Sequence, residues 1–209
     1  MLSCRRGARL ICSVSWTKYG SKMKIAILGW GSLVWDPRDL PHYGPWESGG
    51  PEFPIEFSRV SSDCRLTLVV DPSGPTVPTR FALSPRSNIS DAIEDLRKRE
   101  GTTRKNIGSF IAPTSASSRT EFHHQVDVTE IVGPWCVNKR IDACVWTALL
   151  PNFKEELGSD FSPDQAVAYL ERLGTSARDN ALKYIRNAPA EVATPARQKV
   201  SARWPNSAS

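Results

Sequence analysis

Two short stretches of this chain combine residue types that chemistry requires. The first is KIAILGWGSLVWDP, residues 24–37, where an apolar run enters Gly29-Trp30-Gly31-Ser32-Leu33. A glycine-bracketed loop at the end of a buried strand offers several backbone N–H groups and one hydroxyl to the same space. Such a loop can hold an anion or a developing oxyanion. Other readings of a glycine-rich loop fail here. A dinucleotide fingerprint needs a third glycine where Val34 stands, and Pro37 falls where a long helix would be running. A phosphate loop needs a Gly-Lys-Ser or Gly-Lys-Thr step, and Ser32 is not in the G-x-S-x-G elbow of the α/β-hydrolases. The plainer alternative is that Gly29 and Gly31 only permit a tight turn.

The second stretch is a helix expected over Ser90–Glu100, capped by Asn88 or Ser90 and stopped by Gly101. Its apolar residues Ala92, Ile93 and Leu96 share a face, and Glu100 falls on it, seven residues after Ile93 and four after Leu96. An unpaired carboxylate facing inward is costly, and the helix C-terminus is its negative end, so such a residue invites a role as a general acid or base. Arg97, Arg99 and Arg104 are close enough in sequence to pair with it instead, which would make a salt-bridged helix end.

The elements that would position these residues run strands first and helices last. Strands are expected at Met23–Leu28, Phe53–Val60, Arg65–Val70, Thr79–Leu83, Ile107–Ala112, Phe122–Val132 and Ile141–Leu150. Residues 36–52, rich in Pro, Gly and aromatics, are expected to form a long covering loop. Helices follow at Pro163–Leu173 and Ser176–Ala188, before a frayed Pro-, Ala- and Ser-rich end. This order argues for an α+β domain and not a βαβ array. The expected organisation is a basic, disordered extension over 1–22, one domain over 23–188 and a tail over 189–209.

Charge and cysteine usage narrow the classes further. Of 27 basic residues, Arg5, Arg6, Arg9, Lys18 and Lys22 lie before Met23 with no acid among them, leaving 22 basic against 22 acidic side chains in the remainder. The net charge of +5 therefore belongs to the extension, and no basic and aromatic module for nucleic acid is visible. That extension has the look of a transit peptide, or of sequence upstream of a start at Met23; the second reading is preferred. The five cysteines, Cys4, Cys12, Cys64, Cys136 and Cys144, are odd in number and lack C-x-x-C spacing. They suit a reducing cytoplasm and argue against a disulfide scaffold or a zinc site. His123 and His124 are adjacent and would face opposite sides of a strand, so both read as structural or surface residues. No metal is implied. No apolar run is long enough to span a bilayer, and a soluble protein without membrane or nucleic-acid partners is expected.

Taken in order, strand plus GWGSLVW, Arg99-Glu100 at a helix end, and SARDNALKYIRNA over 176–188 resemble the gamma-glutamylcyclotransferase superfamily, most closely its ChaC-like, glutathione-degrading branch. In that branch the loop typically reads G-Y-G-S-L-I-W, the helix ends Y-L-x-x-R-E, and an S-G-R-N segment precedes the last helix. The resemblance spans residues 24–188. It implies a small mixed, β-barrel-like sheet with one inserted helix and C-terminal helices, and cyclisation of a γ-glutamyl peptide or amine to 5-oxoproline without a cofactor. By that resemblance Glu100 is the catalytic base. The backbone of Gly29, Trp30, Gly31, Ser32 and Leu33 holds substrate carboxylate or oxyanion, with the Ser32 hydroxyl as an added donor. Arg59 and Arg80, in or beside expected strands, are candidates for a second substrate carboxylate, or else surface arginines. The sequence departs from the pattern at Trp30, where tyrosine is usual, and at Gly101-Thr102-Thr103-Arg104, where Gly-Gly-Tyr-Arg is common. Those departures leave the substrate open, with glutathione one candidate, and the oligomeric state is open too. Two other classes stay open: a non-catalytic binding relative, and a hydrolase using Ser32 or Cys64 with His123 or His124.

Overall fold

The strand that carries the glycine loop, β1 (Ile25–Gly29), is buried at every position. Its alternation divides the core: Ile25 and Ile27 point to one face, Ala26 and Leu28 to the other. The computed structural model describes residues 22–112, 116–117 and 128–205. Around β1 stand β2 (Tyr43–Val60), β3 (Leu66–Val70), β4 (Thr76–Leu83), β5 (Ile107–Ile111), β6 (Ala116–Ser117) and β7 (Ala143–Thr147), in the order β3-β2-β4-β1-β7-β5-β6. Among the described residues only β1 and β7 pair in parallel; the other pairs are antiparallel.

One face of this sheet is covered by helix α1 (Ile89–Glu100), whose Ala92, Ile93 and Leu96 meet Ile25 and Ile27 of β1 and Ala143 and Val145 of β7. Asn88 caps α1 by accepting from the Asp91 N–H, and Gly101 ends it with a left-handed backbone that returns its N–H to the last turn. The other face carries the larger core, where Trp146, Phe53 and Phe110 pack under α2 (Val128–Lys139), α4 (Pro163–Arg172), α5 (Thr175–Asn187) and α6 (Pro195–Arg203). A short helix, α3 (Phe153–Leu157), anchors its Phe153 in the same core. Among the described residues no helix is long and apolar enough to cross a membrane.

The α+β class holds, with four corrections. The sheet is open, with β3 and β6 at its ends, and is not closed into a barrel. Residues 43–52, expected in a loop, are the first half of β2. Their Pro and Gly content is accommodated by two irregularities against β4, and Gly44 and Gly49 take positive φ of 63° and 79° there. The strand expected over Phe122–Val132 is, in its described part, the start of α2, although Pro134 lies inside that helix; the rest, with His123 and His124, lies outside the described residues. Finally, the end expected to fray holds α6, with Val192, Ala196 and Val200 in the core.

Candidate functional site

Because β1 and β7 run parallel, their carboxyl ends open on the same side of the sheet, and a cleft of about 450 Å³ lies there. Its floor is Leu28 to Leu33; α1 contributes Arg99 and Glu100 from one side, the β2–β3 hairpin Arg59 and Arg65 from another, and α5 Tyr184. Of the residues singled out from sequence, Gly29, Trp30, Gly31, Ser32, Leu33, Arg59 and Glu100 all line this cleft. Arg80 does not: on β4 it ion-pairs with Glu191 at 2.6 Å.

The loop after β1 folds back immediately, with Val34 N–H donating to Gly31 O at 3.0 Å and Asp36 N–H to Ser32 O at 2.8 Å. The N–H groups of Gly31, Ser32 and Leu33 make no bond to a backbone carbonyl among the described residues. Gly31 is needed for closeness: a Cβ there would stand 2.9 Å from the Tyr184 hydroxyl. Trp30 uses its bulk elsewhere. Its indole packs on Phe53 at 5.8 Å, is 5% exposed, and donates to Leu68 O at 3.4 Å, so a core contact occupies this side chain.

Tyr184 was not legible as a site residue, because on its helix it reads as one more core aromatic at helical spacing. Burial pushes its phenol up to about 12, with the nearby Glu100 charge adding to the rise and the backbone amides of Leu68 and Ser32 opposing it. It is therefore a neutral O–H at physiological pH, placed at the glycine loop.

Glu100 is 15% exposed and accepts from Arg99 Nη1 at 2.5 Å, so the pairing left open by the sequence is with Arg99. Arg99 is 4% exposed in its side chain. It lies seven residues after Ala92 and three after Leu96, so the periodicity that marks Glu100 marks Arg99 as inward too.

Among the described residues four arginines, Arg38, Arg59, Arg65 and Arg99, line the cleft against one acid, Glu100. Arg38 is answered by Asp36 at 3.4 Å, Arg65 by Asp63 at 2.8 Å and Arg99 by Glu100. Arg59 donates to a backbone carbonyl, Leu150 O, at 2.7 Å, and burial lowers its pKa while Glu156 opposes that effect. The surplus positive charge of the cleft thus centres on Arg59. Deeper in, the Thr147 Oγ1 is buried with no hydrogen-bond partner among the described residues. Chemically, the cleft can take an anion, donate to a developing negative oxygen from backbone amides, a hydroxyl and a phenol, and move a proton at a carboxylate. Among the described residues no histidine lines it and no group of His, Cys, Asp and Glu is placed to hold a metal ion. Comparison with family models, with curated proteins and with solved structures gives no match for this chain.

Proposed function

We propose that this cleft cyclises a γ-glutamyl compound to 5-oxoproline and releases the amine or peptide on its far side. The observation that carries the reading is the convergence of Glu100, the Gly31–Leu33 amides and the Ser32 hydroxyl on one arginine-lined cleft. In this scheme the substrate α-amine attacks its own γ-carbonyl carbon. The new C–N bond closes a five-membered ring and the carbonyl oxygen becomes an oxyanion. The bond to the leaving nitrogen then breaks. Glu100 takes the proton that the attacking nitrogen sheds and returns it to the leaving nitrogen, so no water is consumed. The loop amides, Ser32 and Tyr184 are the donors to the oxyanion or α-carboxylate, and folding the substrate for attack supplies much of the rate. The scheme draws on no cofactor. In this reading Arg59, which lines the cleft, meets a carboxylate on the leaving half, which favours γ-glutamyl peptides, glutathione among them, over neutral amines. Trp30 is compatible with the chemistry because the loop contributes backbone there. A cytoplasmic setting belongs to the same reading, in keeping with the free thiols Cys64, Cys136 and Cys144.

The test is 5-oxoproline release by the purified protein from a panel of γ-glutamyl peptides and amines, with Glu100→Gln beside it. The wild type is expected to release product, and the variant to lose on the order of 100-fold or more while unfolding at the same temperature. Retained activity in Glu100→Gln would remove the base assignment. Saturable binding of a γ-glutamyl peptide without product would make the protein a binding relative.

A further inference from the structure

We propose that Arg99 is the positioning residue of the cleft: one guanidinium sets the distance between the Glu100 carboxylate on α1 and the Ser32 hydroxyl on the loop after β1. Its kinetic consequences rest on the cyclisation reading. The geometry does not. Nη1 donates to Glu100 Oε1 at 2.5 Å, while Nη2 donates both to Ser32 Oγ at 3.2 Å and to Asp36 O at 2.5 Å. A salt bridge that only closed a helix end would stop at the first of these. Here the second nitrogen crosses to a segment 63 and 67 residues away in sequence.

Three physical points give the arrangement direction. First, a guanidinium is planar and rigid, so gripping a carboxylate with one nitrogen and a hydroxyl oxygen with another fixes their separation; a lysine ammonium on a flexible stem cannot. Second, a serine hydroxyl has one hydrogen. With Arg99 donating to its oxygen, Ser32 has its own O–H left to donate, and it lines the cleft. Third, the Asp36 carbonyl is already tied to the loop, since Asp36 N–H bonds Ser32 O. Arg99 therefore braces both ends of the same turn. A buried arginine retained for stability would have every donor satisfied, yet Nε is buried with no partner among the described residues. The backbone oxygen of Arg99 accepts from Arg38 Nη1 at 3.5 Å, which joins the outer wall of the cleft to the same brace.

The experiment compares Arg99→Gln, Arg99→Lys, Ser32→Ala and the double variant Arg99→Gln with Ser32→Ala. Steady-state kinetics are read on the γ-glutamyl donor that gives most 5-oxoproline, and amide hydrogen exchange is followed across residues 30–36. Arg99→Gln is expected to lower kcat about 100-fold with KM changed less than about threefold, the signature of lost transition-state donors. Arg99→Lys should recover about tenfold of that by keeping the charge without the fork. The double variant should be within about twofold of Arg99→Gln, because the Ser32 hydroxyl contributes only while the arginine holds it in place. Full multiplication of the two single losses, or a KM effect at unchanged kcat, would overturn the proposal. Exchange at residues 30–36 should speed about tenfold in Arg99→Gln and return toward the wild type in Arg99→Lys, with β7 staying protected. If Arg99→Gln does not fold, Arg99→Lys and Ser32→Ala carry both measurements. Should the wild type release no 5-oxoproline from any donor, the cyclisation reading falls and the exchange data still decide: unchanged protection across residues 30–36 rejects Arg99 as the brace.

Discussion

Arg59 and Arg80 are the same residue type on neighbouring strands, and their surroundings give them different work. Arg59 faces the cleft with a backbone carbonyl as its partner; Arg80 is closed by Glu191, whose carboxyl it holds below the ordinary range through their hydrogen bond. Arg59→Ala is expected to raise KM for a γ-glutamyl peptide about tenfold with little change in kcat, the loss of one charge-assisted contact to the substrate. Arg80→Ala should leave both constants alone in the same assay. The pair with Glu191 is partly exposed, so its loss costs about 1 kcal/mol or less at neutral pH. Because the Glu191 value is lowered, that contribution is present above the ordinary carboxylate range and fades as pH falls through it. The two arginines could not be sorted from sequence. Which way a strand residue points depends on register with partners far along the chain. Glu100 was legible because a helix sets its own geometry, and Arg99 obeyed the same periodicity. Tyr184 was hidden among aromatics that do belong to the core, and Trp30, which sits in the most site-like stretch of the sequence, turned out to be one of them.

Local signals read the elements well wherever the chain satisfies itself, and failed where distant pairing decides. Asn88 and Gly101 announce α1 because cap and stop are written within its own residues. The first half of β2 looked like a loop since Pro and Gly are poor strand formers alone, yet pairing with β4 supplies hydrogen bonds that absorb two irregularities. Likewise α6 is polar enough to resemble a tail, and it is held by its core contacts, by Arg197, which donates to Pro189 O, Ala188 O and Val192 O, and by a buried acid on β2. Glu56 is 3% exposed and accepts from Ala196 N–H at 3.4 Å, at the start of α6, and from Phe57 N–H at 2.7 Å. Burial raises its pKa above the ordinary 4.5, while the Thr194 hydroxyl and these two backbone amides pull it down. The folded protein therefore keeps this proton at a pH where the unfolded chain has lost it. Its contribution is full below about 4.5 and is lost as pH rises through the folded value. Urea unfolding from about pH 4 to about pH 8 should show the stability of wild type minus Glu56→Gln declining across that window, and a flat or rising difference would contradict the assignment. Glu56→Ala, which strands the same donors, should cost about 2 to 3 kcal/mol.

At the scale of the whole molecule, the cleft carries more positive than negative side chains although the chain from residue 23 onward is balanced. A focused field of that kind attracts anionic substrates, and salt weakens it: the Debye length shrinks from about 30 Å at 0.01 M to about 3 Å at 1 M. Across that range kcat/KM for a γ-glutamyl peptide with two carboxylates should fall about tenfold, and a γ-glutamyl amine lacking the second carboxylate should fall less. Equal losses for both would place the field elsewhere. The sheet also separates the duties of the site. In the proposed scheme proton transfer and oxyanion contacts fall to the loop after β1 and to α1, whereas Arg59 and Arg65 flank the turn between β2 and the edge strand β3. That turn closes on itself: Ser61 Oγ donates to Asp63 Oδ1 at 2.6 Å, Cys64 N–H donates to Ser61 O at 2.9 Å, and Cys64 takes a positive φ of 62°. An edge hairpin with its own internal ties can be lengthened, shortened or exchanged without disturbing the central strands β1 and β7. The fold is in that sense modular. On the proposed reading the choice of leaving group is a graft on the rim, and a lineage, or a designer, could retarget it turn by turn while the reaction stays the same.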